Sequence, residues 1–127
     1  MLAVALADRL GPGDVLALSG DLGAGKTTLM KAIAGVWGAD EAAVRSPTFA
    51  LINVHELADF DLIHADLYRL EEVDELLGCG LLDYLGAENC VVAIEWPELA
   101  EPWLPDHTLR VEMRLRPDGS RVVHIGD

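Results

Sequence analysis

The stretch GDLGAGKT, residues 20–27, decides the fold class of this 127-residue chain. It satisfies the pattern G-x-x-x-x-G-K-[ST] at every required position. The apolar run DVLALS (14–19) precedes it and predicts a buried strand, and a helix is expected to follow from Lys26 to Val36. This strand–loop–helix context favours a P-loop over the alternative, a glycine-rich turn with an exposed lysine.

The residue types of this loop indicate a nucleoside triphosphate as the ligand. Glycines let backbone N–H groups converge on an anion, and the start of a helix adds partial positive charge. Lys26 is expected to neutralise the β- and γ-phosphate oxygens, and the Thr27 hydroxyl to bind Mg²⁺. Because the chain has no [NT]KxD segment of the kind that reads guanine, ATP is preferred. The predicted nucleotide-binding residues of the loop are Gly20, Asp21, Leu22, Gly23, Ala24, Gly25, Lys26, Thr27 and Thr28.

A P-loop also needs an acidic residue at the end of a neighbouring strand to hold the metal. Glu95 ends the apolar run CVVAIE (90–95), and Asp66 ends LIHAD (62–66). Strands of open α/β sheets bind ligands at their carboxyl ends, so both acids are catalytic candidates. Either one by itself reads equally well as an ordinary strand-end carboxylate. Glu95 is the better candidate for the metal ligand that accompanies Thr27.

Two further residues are candidates for the same site. Thr48, in RSPTF (45–49), lies where P-loop switches place a threonine that senses the γ-phosphate and Mg²⁺. A loop threonine after proline is otherwise a turn residue. Trp96 directly follows Glu95 and either covers the nucleotide site or belongs to the core.

The remaining patterns predict one domain over residues 1–127, without a linker. Residues 109–116 alternate apolar and polar side chains, PDGS (117–120) predicts a turn, and RVVHI (121–125) completes a hairpin. The predicted fold class is α/β: a P-loop NTPase-like three-layer fold, with a mainly parallel central sheet extended by antiparallel strands and a C-terminal β-hairpin. Further helices are expected over residues 2–10 and, broken by Gly78 and Gly80, over 71–85. A strand is expected from Phe49 through Ile52, and residues 61–70 are expected to form a strand that returns to an acidic turn.

Composition narrows the classes of partner. The net charge of −13 repels nucleic-acid phosphates, so direct binding of RNA or DNA is disfavoured. The two cysteines, Cys79 and Cys90, stand among apolar neighbours and are expected to be reduced thiols. No apolar run approaches the roughly 18 residues of a membrane span, and the first residues do not resemble a secretory signal. A cytoplasmic protein with no membrane partner is therefore expected.

Four stretches together resemble the TsaE family (formerly YjeE): LSGDLGAGKTT (18–28), SPTFALIN (46–53), HADLYRL (64–70) and IEWPE (94–98). These are bacterial P-loop ATPases required for threonylcarbamoyladenosine formation on tRNA. The resemblance implies an ATPase with little activity alone, which acts on a TsaB–TsaD heterodimer and reaches tRNA only through that complex. Carried over by motif, Lys26 and Thr27 bind phosphate and Mg²⁺, Glu95 completes the metal site, Asp66 and Trp96 are functional positions, and Thr48 belongs to a switch-like loop. Where the family usually has HFDLYRL, this chain has HADLYRL.

Two other functions remain open from the sequence. A stand-alone small-molecule kinase would commonly carry an arginine-bearing lid, whereas residues 70–86 contain no Lys or Arg and the chain has only nine in all. A nucleotide-binding switch without turnover is distinguished from an ATPase by whether phosphate is released when partners are present.

Overall fold

A computed structural model describes residues 2–21, 24–39 and 52–126. Within these ranges six strands form one sheet in the order β2-β3-β4-β1-β5-β6. The strands are β1 (Val15–Gly20), β2 (Ile52–Glu56), β3 (Asp61–Asp66), β4 (Cys90–Glu95), β5 (Leu109–Leu115) and β6 (Arg121–Gly126). The α-helices are α1 (Leu2–Arg9), α2 (Lys26–Val36) and α3 (Val73–Gly78), and two 3₁₀ segments cover Leu81–Asp83 and Pro97–Trp103.

The centre of the sheet is parallel and its edges are antiparallel. Strand β1 pairs in parallel with β4 on one side and β5 on the other, and β3 pairs in parallel with β4. Strands β2 and β6 add to the two edges in antiparallel fashion, β6 through the C-terminal hairpin. Strands β1 and β4 are covered on both faces, which explains why their sequences are nearly continuous apolar runs.

Two apolar cores lie on opposite faces of the sheet. Leu6 of α1 and Ile33 of α2 pack with Leu16 and Leu18 of β1 on one face. On the other face, Leu76 of α3 and Leu81 of the following 3₁₀ segment pack with Val15, Ile63 and Val92. The molecule therefore has three layers, and the predicted fold class is confirmed.

Most predicted elements are present with small differences at their ends. Helix α2 has the predicted bounds. The helix expected over 71–85 is instead the short α3 followed by a 3₁₀ turn, because the helix ends at Gly78 and does not continue past Gly80. Strand β2 begins at Ile52; Phe49, where the strand was expected to begin, lies outside the described residues. The 3₁₀ segment Pro97–Trp103 has no counterpart among the predictions.

The sheet order places the end of β1 between the ends of two other strands. Gly20 pairs with Met113 of β5, while Leu18 pairs with Glu95 of β4. Gly20 has φ +129°, and a Cβ built on it would lie 1.8 Å from the carbonyl oxygen of Met113. Only glycine fits this approach, so the loop begins where the sheet leaves no room for a side chain. In the described ranges no helix is long and apolar enough to cross a membrane.

Candidate phosphate and metal site

The loop that follows β1 leads directly into α2. Gly25 has φ +98° and stands at the N-terminus of α2, where no side chain caps the helix. The first N–H groups of α2 are therefore not satisfied by a capping side chain, which is the arrangement that suits an anion. Ala24 is buried beside Gly25. Leu22 and Gly23, also predicted to bind nucleotide, lie outside the described residues.

Lys26 folds back onto its own loop. Its Nζ donates to the carbonyl oxygens of Gly20 at 2.9 Å and Asp21 at 3.0 Å, and the side chain is only 5% exposed. Burial lowers the pKa of this ammonium group from its ordinary value, against the opposite effect of the carboxylates, of which Glu95 is the strongest. The cation is thus enclosed, partly desolvated and bonded to neutral acceptors.

Thr27 meets Glu95 across the gap between α2 and β4. The Thr27 hydroxyl donates to the carboxylate, 2.9 Å from Oε1 and 3.2 Å from Oε2. Glu95 is 3% exposed at the end of its strand. The two residues predicted to bind the metal are therefore brought together, 68 positions apart in sequence.

His64 is the third member of this cluster and was not predicted. Its Nε2 lies 2.6 Å from Oε2 of Glu95, and the side chain is completely buried. In the register of β3 and β4, His64 pairs with Ala93 and Asp66 with Glu95. Because side chains alternate, His64 and Glu95 project from the same face of the sheet. The sequence does carry a sign of this role, because His64 is the one polar residue inside the apolar run LIHA (62–65).

Trp96 covers Lys26. Its ring centroid lies 3.9 Å from the Lys26 Nζ, within the range of a cation–π contact. Trp96 has φ +57°, the only positive value for a non-glycine residue in the part of the chain that the structure describes. Its N–H donates to the Leu18 carbonyl at 3.1 Å, and Tyr68 packs on the ring with centroids 4.8 Å apart. The left-handed turn at Trp96 thus directs the indole over the loop.

Asp66 lies at the same sheet edge but has different surroundings. It is paired in register with Glu95, and its Oδ1 accepts the Tyr68 N–H at 3.0 Å. Its charge raises the pKa of Lys26, though less than that of Glu95 does. The contact with Thr27 belongs to Glu95, in line with the preference drawn from the sequence.

The Asp21 side chain holds the loop to β5. Its carboxylate accepts the Leu115 N–H at 3.0 Å and an Arg114 Nη1 bond at 3.3 Å. The Leu115 N–H in the first place, and then the Arg114 charge, lower the pKa of the Asp21 carboxyl. Asp21 was predicted as part of the nucleotide loop, and its side chain is used here to fix the start of that loop.

A cavity of about 270 Å³ opens beside the loop. The guanidinium of Arg121 lies over Gly25, with Nε 3.6 Å from where a Cβ would stand. The exposed Thr28, at the third position of α2, faces the same space. No sequence pattern indicates this cavity, because its walls come from distant parts of the chain, among them Leu2, Thr28, Leu29, Ala32, Met113 and Arg121.

The donor set suits Mg²⁺ with a bound phosphate better than a metal held by protein alone. No group of three or more His, Cys, Asp or Glu side chains in the described ranges could hold a metal ion. Mg²⁺ is commonly bound by one or two carboxylates together with substrate phosphates and waters. One hydroxyl (Thr27) and one carboxylate (Glu95) beside a loop lysine fit that pattern. Thr48, predicted to respond to the γ-phosphate, lies outside the described residues.

The chain is similar to known proteins of one family. The model of the family "Threonylcarbamoyl adenosine biosynthesis protein TsaE" matches residues 1–123. The protein named tRNA threonylcarbamoyladenosine biosynthesis protein TsaE from Bacillus subtilis is 40% identical over 112 residues, 88% of this chain and 68% of its own length. Its namesake from Nostoc is 41% identical, covering 98% of this chain and 76% of its own. The crystal structure of YdiB from Bacillus subtilis superposes with a TM-score of 0.71 at 33% identity, covering 96% of this chain and 73% of that one.

Proposed function

The chain belongs to the TsaE family of tRNA threonylcarbamoyladenosine biosynthesis, and from this premise we propose that it is a Mg²⁺-dependent P-loop ATPase that acts on a TsaB–TsaD heterodimer. The observation that carries the proposal is the Thr27–Glu95 contact beside Lys26. The groups that bind a metal–triphosphate are a hydroxyl, a carboxylate and an ammonium group. All three meet here beside the start of helix α2.

Lys26 changes its acceptors when ATP binds. In the free protein its Nζ bonds to two neutral carbonyl oxygens and lies under the Trp96 ring. Phosphate oxygens carry full negative charge, and hydrogen bonds between charged groups are roughly twice as strong as neutral ones. Lys26 therefore turns to the β- and γ-phosphates, and Trp96 belongs to the site through its contact with this cation.

Thr27 and Glu95 hold the Mg²⁺. The hydroxyl and the Glu95 carboxylate already lie within hydrogen-bond distance of each other, so both reach one ion without a large movement. When bound, Mg²⁺ neutralises charge that develops on the phosphates during hydrolysis. Asp66, at the same sheet edge, serves as the second acidic group, and Thr48 serves as the residue that responds to the γ-phosphate.

The adenine ring occupies the cavity beside Gly25. Ligand pockets are mainly apolar with a few polar groups, and at about 270 Å³ this cavity lies just below their usual range of roughly 300–1,000 Å³, which suits a single ring system. Thr28 stands between the loop and the cavity, where it can reach the α-phosphate. The Arg121 guanidinium over Gly25 supplies a flat cation that can stack on the base.

Turnover depends on the partner. P-loop enzymes without a placed cationic finger hydrolyse slowly until a partner supplies one or orders the switch. Of the arginines on β5 and β6, Arg114 is bonded to Asp21 and Glu112, Arg110 pairs with Glu101, and Arg121 lies over Gly25, where it is assigned to the base. We expect slow hydrolysis by the chain alone in the cytoplasm, and contact with tRNA only through the TsaB–TsaD complex.

Phosphate release from ATP tests this proposal. The rate is measured with the chain alone, with the TsaB–TsaD pair, and with both, in Mg²⁺ and in EDTA. The pair together with a Lys26→Met chain serves as the matched control for contaminating activity. We expect Mg²⁺-dependent release that rises at least about 10-fold when the pair is added; a cationic finger supplied by a partner can give about 10³- to 10⁵-fold.

Two results would contradict the proposal in different ways. A full rate without the pair would identify a stand-alone hydrolase or, with an acceptor, a kinase. Nucleotide binding without release in any mixture would identify a switch that does not turn over.

A further inference from the structure

We propose that His64 is the positioning residue of the metal site: its Nε2–H holds Oε2 of Glu95, so that the carboxylate stays directed at Thr27. The hydrogen bond itself is a property of the free protein. Its effect on Mg²⁺ rests on the function proposed above.

The short distance between Nε2 and Oε2 indicates a shared proton. A ring nitrogen and a carboxylate oxygen 2.6 Å apart must share a proton, because two lone pairs would repel each other. Because Glu95 acts as a carboxylate toward Mg²⁺ in the proposed function, we assign this proton to Nε2 of His64. Both side chains are almost fully buried, where a hydrogen bond to a charged acceptor is stronger than in water.

The two donors to Glu95 come from separate elements. Thr27 lies in the first turn of α2, and His64 lies in β3, the strand next to β4. A glutamate has several rotatable bonds, so ordering its side chain costs conformational entropy. Thr27 must also serve the ion and the nucleotide. His64 lies in the core and keeps its place regardless of ligand, so it sets the carboxylate in advance.

Stability does not account for a histidine at this position. The Nδ1 of His64 has no hydrogen-bond partner among the described residues, although the atom is buried. A buried polar atom without a partner lowers the stability of the fold. An apolar side chain, like those of Leu62 and Ile63 in the same strand, would avoid this cost. The favourable contact that His64 makes is the one with Glu95.

A pair of variants separates positioning from packing. In His64→Gln the side-chain nitrogen falls near the place of Nε2 and can still donate to Glu95. In His64→Asn it falls near the place of Nδ1 and cannot reach. Both are neutral amides, so a difference between them reports the position of the donor.

The measurement is the binding of a fluorescent ATP analogue as Mg²⁺ is titrated. We expect His64→Asn to raise the Mg²⁺ concentration at half-saturation about 10- to 100-fold, the usual effect of losing a residue that orients a ligand. Binding of the analogue in EDTA should stay within about 2-fold, and His64→Gln should stay within about 3-fold of the unaltered chain in both conditions. Equal behaviour of the two variants would overturn the proposal.

A second measurement needs neither metal nor nucleotide. Long-range ¹⁵N–¹H spectra of the free protein should show a proton on Nε2 of His64, with a ring nitrogen shift that changes in Glu95→Gln. A ring protonated on Nδ1 alone would overturn the proposal, even if the Asn variant fails to fold. If the unaltered chain binds nucleotide without any Mg²⁺ dependence, the proposed function fails, and these spectra still decide whether His64 holds Glu95.

Discussion

The two charged residues at the centre of the site, Lys26 and Glu95, are held in opposite ways. Lys26 bonds to backbone carbonyls of its own loop and touches the Trp96 ring. Glu95 is bonded by side chains from two other elements, Thr27 of α2 and His64 of β3. The carboxylate is therefore set by the fold before any ligand arrives. The ammonium group is occupied by local acceptors that a ligand has to replace.

The difference also shows in the energetic cost of the lysine. Burial lowers the pKa of Lys26, which means that the folded protein disfavours its charged form. A phosphate ligand would remove that cost by supplying a full negative charge. The lysine side of the site is thus the part that has most to gain from binding.

The largest effect is expected on the carboxylate side. Glu95→Gln keeps the shape but removes the charge, so Mg²⁺-dependent hydrolysis with the TsaB–TsaD pair should fall about 10²- to 10³-fold, as when one electrostatic stabiliser is lost. Nucleotide binding in EDTA should be nearly unchanged. Single-turnover phosphate release checks the rate. Asp66→Asn is the matched control; if it produces the metal defect and Glu95→Gln is benign, the roles of the two acids are reversed.

The lysine side should show its effect in binding. Lys26→Met keeps an unbranched chain but loses about two charged hydrogen bonds to phosphate, which are worth about 1.5–3 kcal/mol each. ATP affinity should fall at least about 10²-fold, because each 1.4 kcal/mol is a factor of ten. Calorimetric titration with ATP gives the affinity. An affinity within a few-fold of that of the unaltered chain would refute the P-loop assignment.

The covering ring should have a smaller effect. Trp96→Leu removes a contact that competes with phosphate for Lys26, and a desolvated cation–π pair is worth about 2 kcal/mol. ATP should therefore bind more tightly, by up to about 30-fold, as measured by the same titration. Tyr68→Leu, which changes the outer ring but not the contact with Lys26, is the control. Weaker binding by Trp96→Leu would mean that the indole contacts the bound nucleotide.

The smallest effect is on stability and depends on pH. Since the pKa of Lys26 is lowered in the folded state, the unfolded chain binds more protons between that pKa and the ordinary value of 10.5. The contribution of Lys26 to the free energy of unfolding should therefore rise with pH in this window. The free energy of unfolding of Lys26→Met, measured with urea relative to that of the unaltered chain, should be highest at pH 7 and should fall at pH 9 and 10. A difference in the free energy of unfolding between the two proteins that does not change with pH would contradict this.

The parts of the site that could be predicted are those written in local sequence. Helix α2 and the strand-end acid Glu95 each follow from a motif or an apolar run, and the structure has both where they were expected. The pairing of Thr27 with Glu95 also followed, because parallel strands bring their carboxyl ends to one edge.

The rest depends on which strands are neighbours. His64 reaches Glu95 only because β3 lies beside β4, and the cavity forms only because β5 and β6 lie beside β1. The turn at Trp96 was also unpredictable, since a positive φ is unusual for a bulky residue and no sequence pattern marks it. These features depend on sheet order and backbone geometry, which cannot be predicted from the spacing of apolar residues along the sequence.

The central place of β1 has a consequence for how the protein is made. The loop and α2 are synthesised early, but both strands that flank β1, β4 and β5, come from the last third of the chain. Such distant pairings form slowly and late, because long loops must close first. On the ribosome, the growing chain carries the complete loop motif long before Gly20 can settle against Met113. The motif is present early in synthesis, and the folded site is among the last features to form.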